Sequence, residues 1–121
     1  MFESLGKMEK KFADIIWREE PLSSRKLSEL AEIELGWKKT TSYTVLKRLE
    51  DKNLFKNEHG KVRSLVSRDE YNQYQSKEFI DEYFNGKIPD FLVAFSSVKP
   101  LNKEDIEKIE VMINEWKRTE K

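Results

Sequence analysis

The sequence predicts a mostly α fold: an N-terminal winged helix-turn-helix with a small β-hairpin wing, followed by a three-helix C-terminal region. Three observations predict it. Apolar residues recur at helical spacing along most of the 121-residue chain. The order over the first half is helix, short extended piece, helix, helix, hairpin, which is that of a winged helix-turn-helix. The helix before the hairpin carries one apolar stripe, and no acid occurs from Gly36 to Leu49.

Each element has its own signal. Leu5, Met8, Phe12, Ile15 and Ile16 predict a first helix that ends near Glu20, because Pro21 cannot continue it. Ser23 is placed to cap a second helix, with Leu27, Leu30, Ala31 and Leu35 on its inner face and Gly36 as its stop. A third helix runs from about Lys38 to Lys52, burying Val45, Leu46 and Leu49. Leu54–Asn57 and Lys61–Val66 are short strand candidates around the turn Glu58-His59-Gly60. Ser67 to Glu70 is a capping box. It opens a helix bearing Tyr71, Tyr74, Phe79, Ile80, Tyr83 and Phe84 that stops at Asn85-Gly86. A short helix follows, with Pro89 in its first turn, Phe91, Leu92 and Phe95 inside, and Lys99-Pro100 at its end. Asn102 caps a last helix, whose Ile106, Ile109, Ile113 and Trp116 form a heptad-like seam.

Two domains are expected, 1–68 and 69–121. The second is small and rich in aromatics, and a unit of that size rarely encloses its own apolar surface. A second copy of the chain is the expected remedy, through Tyr83, Phe84, Phe91, Leu92, Phe95, Ile106, Ile109, Ile113 and Trp116. The other arrangement is a monomer in which this segment packs back on residues 1–68. Charge is segregated in the same way. The whole chain is neutral, but residues 1–68 hold 15 Lys/Arg against 11 Asp/Glu, and residues 69–121 hold 8 against 12. The first half suits a polyanion and the second does not.

The polar face of the third helix gives that polyanion a form. The second helix of a helix-turn-helix lies in the major groove of DNA. Thr40, Thr41 and Thr44 offer hydroxyls and methyls to base edges, and Tyr43 can reach a phosphate or a base. Lys38, Lys39, Lys47 and Arg48 supply charge for phosphates, where an acid would be repelled. Arg25 sits beside Lys26 in the first turn of the second helix, where the helix dipole disfavours cations and a phosphate would compensate. Lys61 and Arg63 on the wing can reach a flanking backbone or the minor groove.

Other chemistries are poorly supplied. There is no cysteine, which removes disulfides, thiol catalysis and Cys-ligated metals and suits a reducing cytoplasm. His59 is the single histidine, in a turn, and no Gly-rich phosphate loop occurs. No enzyme activity, cofactor or metal is expected. The N-terminus has no apolar run long enough for a signal peptide, and no segment approaches about 18 apolar residues, so no membrane insertion is expected.

The run Trp37-x3-Thr41-x2-Thr44-x-Leu46-x-Arg48-Leu49-x2-Lys52 resembles the penicillinase-repressor family (BlaI/MecI type). So do Ile16-Trp17, Pro21-Leu22-Ser23, Leu65-Val66-Ser67 leading to Tyr71, and Phe84-x-Gly86 before a Phe/Leu-rich helix. The resemblance implies a homodimeric winged-helix repressor of β-lactam-resistance genes on a palindromic operator, relieved when a membrane sensor-protease system has it cut. Thr41, Thr44 and Arg48 match the family's recognition-helix positions. Lys38-Lys39 stands where the family usually has Ser-Pro, and Thr40 where it usually has a basic residue. The stretch from Leu54 to Val66 is shorter than usual. The family's scissile bond maps to Ala94-Phe95, where Ala replaces Asn. The Cys-rich motif of the copper-responsive branch is missing. Two alternatives stay open: a winged-helix regulator responding to a small ligand, and a winged-helix protein–protein interaction module.

Overall fold

The computed structural model describes residues 4–119. The first unit runs through Glu78 and the second begins at Phe79. The first contains α1 (Lys7–Glu19), β1 (Leu22–Ser23), α2 (Ser24–Leu35), α3 (Lys39–Asp51), β2 (Phe55–Glu58) and β3 (Lys61–Ser64). It also contains most of α4 (Arg68–Phe84), whose end passes into the second unit with α5 (Ile88–Val98) and α6 (Lys103–Thr119).

Local chemistry sets the helix ends. The Gly6 N–H donates to Glu9 Oε1 at 2.8 Å at the start of α1, and Glu20, in extended conformation, closes it before Pro21. Ser23 caps α2 by accepting from the Lys26 N–H at 3.0 Å. Gly36 ends α2 at φ 71°, a left-handed conformation that costs glycine no Cβ clash. Ser67 and Glu70 make both capping-box bonds, at 3.0 and 3.1 Å. Asn102 Oδ1 accepts from the Asp105 N–H at 2.7 Å to start α6.

The sheet has three strands in the order β1-β3-β2, all antiparallel. The expected extended piece at Leu22–Ser23 is thus a strand, pairing Leu22 with Val62 and Ser23 with Lys61. The hairpin is tighter than expected. Glu58 and Lys61 face each other, leaving only His59 (φ 53°) and Gly60 (φ 81°) in the loop. Positive φ at both positions is the signature of a type I′ turn, whose twist suits paired strands. Leu54, Leu65 and Val66 fall outside the strands. The Glu20 carboxylate fastens β3 to the end of α1, accepting from the Ser64 N–H and hydroxyl, each at 2.7 Å.

The core of the first unit collects Phe12, Ile15 and Ile16 from α1, Leu27 and Ala31 from α2, and Val45, Leu46 and Leu49 from α3. Leu54, Phe55, Val62, Val66 and Tyr71 join them. Burial of each large side chain contributes about 1.5–3 kcal/mol. Trp17 lies against Phe55 and Tyr71, with ring centroids 5.2 and 5.7 Å away, and donates its indole N–H to the Val66 carbonyl at 2.9 Å. Trp37 stacks on Phe12 at 5.1 Å. Met8, which shares the helical spacing of the first helix, is exposed: it lies in the first turn of α1, at the edge of the packing.

The second unit is organised around aromatic rings. Phe84 meets Phe91 edge-on at 5.6 Å, and Phe91 lies 5.9 Å from Phe95. No described residue from Phe79 on is buried. Phe91 and Leu92 are only half-buried, and Phe95, expected inside, is 43% exposed. Roughly 40 residues in three helical pieces supply too few layers to enclose these rings.

Candidate nucleic-acid interface

Packing decides which face of α3 reaches solvent. Ser42, Val45, Leu46 and Leu49 turn inward. Thr40, Thr41, Tyr43, Thr44, Lys47 and Arg48 are all exposed. At 3.6 residues per turn they cover an arc of about 160°. Lys38 and Lys39 lie at the helix start, exposed, and the first turn has no acid.

The hydroxyls on this face are not equivalent. Thr44 donates its hydroxyl to the Thr40 carbonyl at 2.9 Å, a back-bond to the preceding turn. Its methyl and oxygen lone pairs remain for other contacts. Thr41 makes no such bond among the described residues, so both hydroxyl functions are available. Lys39 Nζ lies 5.9 Å from the centroid of the Tyr43 ring, which biases both side chains toward one another.

The cations differ in the same way. Lys47 is 3.8 Å from Asp51, one turn on, and Arg25 is 3.6 Å from Glu29. Glu29 therefore supplies part of the compensation that a phosphate was expected to give Arg25. Lys38, Lys39, Arg48 and Lys61 have no salt-bridge partner among the described residues. Arg48 acts on Glu9 only through space, as one of several influences that lower the Glu9 pKa.

The wing presents Lys61 and Arg63 outward, both exposed. Arg63 Nε sits 3.3 Å from Glu58 Oε1. That contact, and then Lys56, holds the Glu58 carboxyl below the usual carboxylate range. Lys56 and Glu58 were not singled out from the sequence. Their signal was strand alternation, which becomes legible once the turn is fixed at two residues.

Lys52 belongs to the resembling run, yet it faces the fold. Its Nζ lies 2.9 Å from Glu9 Oε1 and donates to the Ser4 carbonyl at 3.2 Å. His59 serves the turn. No group of three or more metal-ligating side chains occurs among the described residues.

In the second unit, Tyr83, Phe95, Ile106, Ile113 and Trp116 are exposed in the single chain, and Phe84, Phe91, Leu92 and Ile109 are half-buried. Ala94 and Phe95 both lie within α5, where the Phe95 carbonyl accepts from the Lys99 N–H at 2.9 Å.

The profile of the penicillinase repressor family matches residues 5–115. The chain belongs to that family. Its members are DNA-binding transcriptional repressors, not enzymes. This repressor is also similar to the methicillin resistance regulatory protein MecI of Staphylococcus aureus (strain Mu50 / ATCC 700699). The two are 24% identical over 114 residues, covering 91% of this chain and 93% of that protein. The family resemblance seen in the repressor's sequence divides physically. Trp17, Trp37, Leu46 and Leu49 are packing residues, while Thr41, Thr44 and Arg48 are on the surface. Among the described residues of the repressor, no helix is long and apolar enough to cross a membrane.

Proposed function

We propose that this repressor binds a palindromic operator as a homodimer, with residues 1–68 reading DNA and residues 69–121 joining the two copies. Its targets are β-lactam-resistance genes, and it acts in the cytoplasm. The observation that carries the reading is the exposed arc of α3, six polar and basic side chains with no acid before Glu50, backed by a buried stripe. Thr41 and Thr44 read bases; Thr40 and Tyr43 flank them. Arg48, Lys47, Lys38 and Lys39 hold phosphates, with Arg25 and the wing's Lys61 and Arg63 outside them. Dimerisation is supported by the second unit, in which no described side chain is buried in one chain. The link to β-lactam resistance rests on the family and on the similarity to a methicillin resistance regulator.

Relief of repression is assigned to cleavage at Ala94-Phe95 through a membrane sensor-protease system. The bond is within a regular helix, so α5 must open locally before a protease can take it. The small-ligand alternative would need a cavity among the described residues. A hollow of about 460 Å³ runs along α6, but Glu104, Glu107, Lys108, Val111 and Met112 of that one helix line it.

The deciding experiment is selection of duplexes from a random pool by the full chain, followed by sedimentation of the complex. Two-fold symmetric half-sites spaced by about one helical turn, or a multiple, bound by two chains are expected. Recovery of unrelated sequences, or a single chain per site, would overturn the reading.

A further inference from the structure

In the wing, Lys56 faces Arg63 and Glu58 faces Lys61. Side chains alternate along a strand, so these four share one face while Phe55, Asn57, Val62 and Ser64 share the other. Burial follows the same division: the first four are exposed, and the second four are buried or half-buried. The outward face of the wing is thus three cations around one carboxylate. Glu58 reaches Arg63 at 3.3 Å and Lys56 at 3.7 Å through its two oxygens.

The hairpin does not depend on those pairs. Its backbone ladder, its two-residue turn and the fully enclosed Phe55 and Val62 hold it together. Exposed ion pairs add little to stability. What the carboxylate changes is the field outside the protein. Each phosphate neutralised by a protein cation releases counterions, whatever the base sequence. A phosphate approaching Arg63 or Lys56 has to displace Glu58, and the two anions repel one another.

We infer that Glu58 is an internal counterion that restrains the wing's attraction to DNA phosphates, and that Lys56 is a phosphate contact held in check by it. The inference rests on the DNA-binding reading above and concerns only how strongly the wing takes part. It accounts for a wing that is basic in composition yet carries its own anion at the centre of the basic face. The restraint is independent of sequence, so it sets total affinity and salt sensitivity and leaves base preference to α3.

The test is Glu58→Gln, which removes the charge and keeps the shape. Binding is followed by fluorescence anisotropy over a salt series, on a random-sequence duplex and on the duplex that the wild type selects. The slope of log K against log salt should steepen by about 0.9 for one phosphate gained, equivalent to about eightfold tighter binding at 0.1 M relative to 1 M salt. Both duplexes should gain equally, and the melting temperature should not move. Adding Lys56→Gln should return the slope toward that of the wild type. An unchanged slope or weaker binding for Glu58→Gln, alongside steep salt dependence in the wild type, would overturn the inference and leave the DNA-binding reading intact. A shift in preference between the duplexes would also overturn it, because Glu58 would then be reading bases. A double variant that keeps the full gain would remove Lys56. A wild type without salt-dependent binding to either duplex would instead sink the DNA-binding reading itself.

Discussion

Lys52, at the end of α3, is fastened to Glu9 in the first turn of α1 by a 2.9 Å ion pair whose side chains are only 18% and 15% exposed. The same carboxylate accepts the Gly6 N–H, and the same ammonium donates to Ser4. The end of α3 is thereby tied to the segment that starts the fold.

Stability should report this clamp. The Gly6 N–H first, and then Lys52, lower the Glu9 pKa below its ordinary 4.5. A carboxyl depressed in the folded state contributes stability above its unfolded pKa and loses it as pH falls through the folded value. Lys52→Met should cost about 1 kcal/mol at neutral pH, a drop of roughly 4–8 °C in melting temperature for a unit of this size. That deficit relative to wild type should shrink below about pH 4.5. Urea melts at several pH values check it; a deficit that persists undiminished under acid would mean the clamp is not ionic.

The hydroxyls of α3 should separate by chemistry. Thr44 has already committed its proton to the Thr40 carbonyl, so Thr44→Val, which keeps a methyl, should retain most operator preference, and Thr44→Ser should lose more. Thr41→Val should lose about 1 kcal/mol of preference for operator over random DNA, because it removes an uncommitted hydroxyl. Arg48→Ala should instead weaken both duplexes and reduce the salt slope by about 0.9. Anisotropy titrations on both duplexes decide; equal losses for Thr41→Val on both would remove it from base reading.

The seam of α6 should carry the dimer. Ile109→Glu or Ile113→Glu places a charge in an interface meant to be dry, which costs several kcal/mol unless the group neutralises. Sedimentation should find monomers at concentrations where the wild type is dimeric, with the circular dichroism of the first unit intact. A tight dimer in both variants would place the interface elsewhere.

Induction should leave fragments cut between Ala94 and Phe95. Intact-mass measurement on cells exposed to a β-lactam is the check. Full-length chain throughout induction, or a cut outside residues 91–98, would rule out this bond.

The helices and their caps were legible because their signals are local. Ser23, Gly36, the Ser67–Glu70 box and Asn102 each act within four residues of themselves. The exposed arc of α3 was legible too, since periodicity alone separates Thr41 from Leu46. The wing face was not. A turn spread over Glu58-His59-Gly60 leaves the register open, and a slip of one residue exchanges the two faces of a strand. Only the pairing of Glu58 with Lys61 puts Lys56 beside Arg63. The Glu9–Lys52 clamp and the Trp17–Val66 bond join residues more than 40 positions apart, beyond the reach of any periodic pattern.

Tyr71 lies on α4, yet its ring packs on Trp17 and its hydroxyl accepts the Leu5 N–H at 2.7 Å, so the core of the first unit is completed by residues after 68. A fragment ending at Ala94 keeps Tyr71 and everything it closes. Cutting the chain there would therefore leave an intact reader of a single half-site. What it would lose is avidity: without a tethered partner, the second half-site no longer sees a high effective concentration of reader. Shutdown would then be a matter of mass action, and the fragment's own abundance would set how completely the operator is vacated.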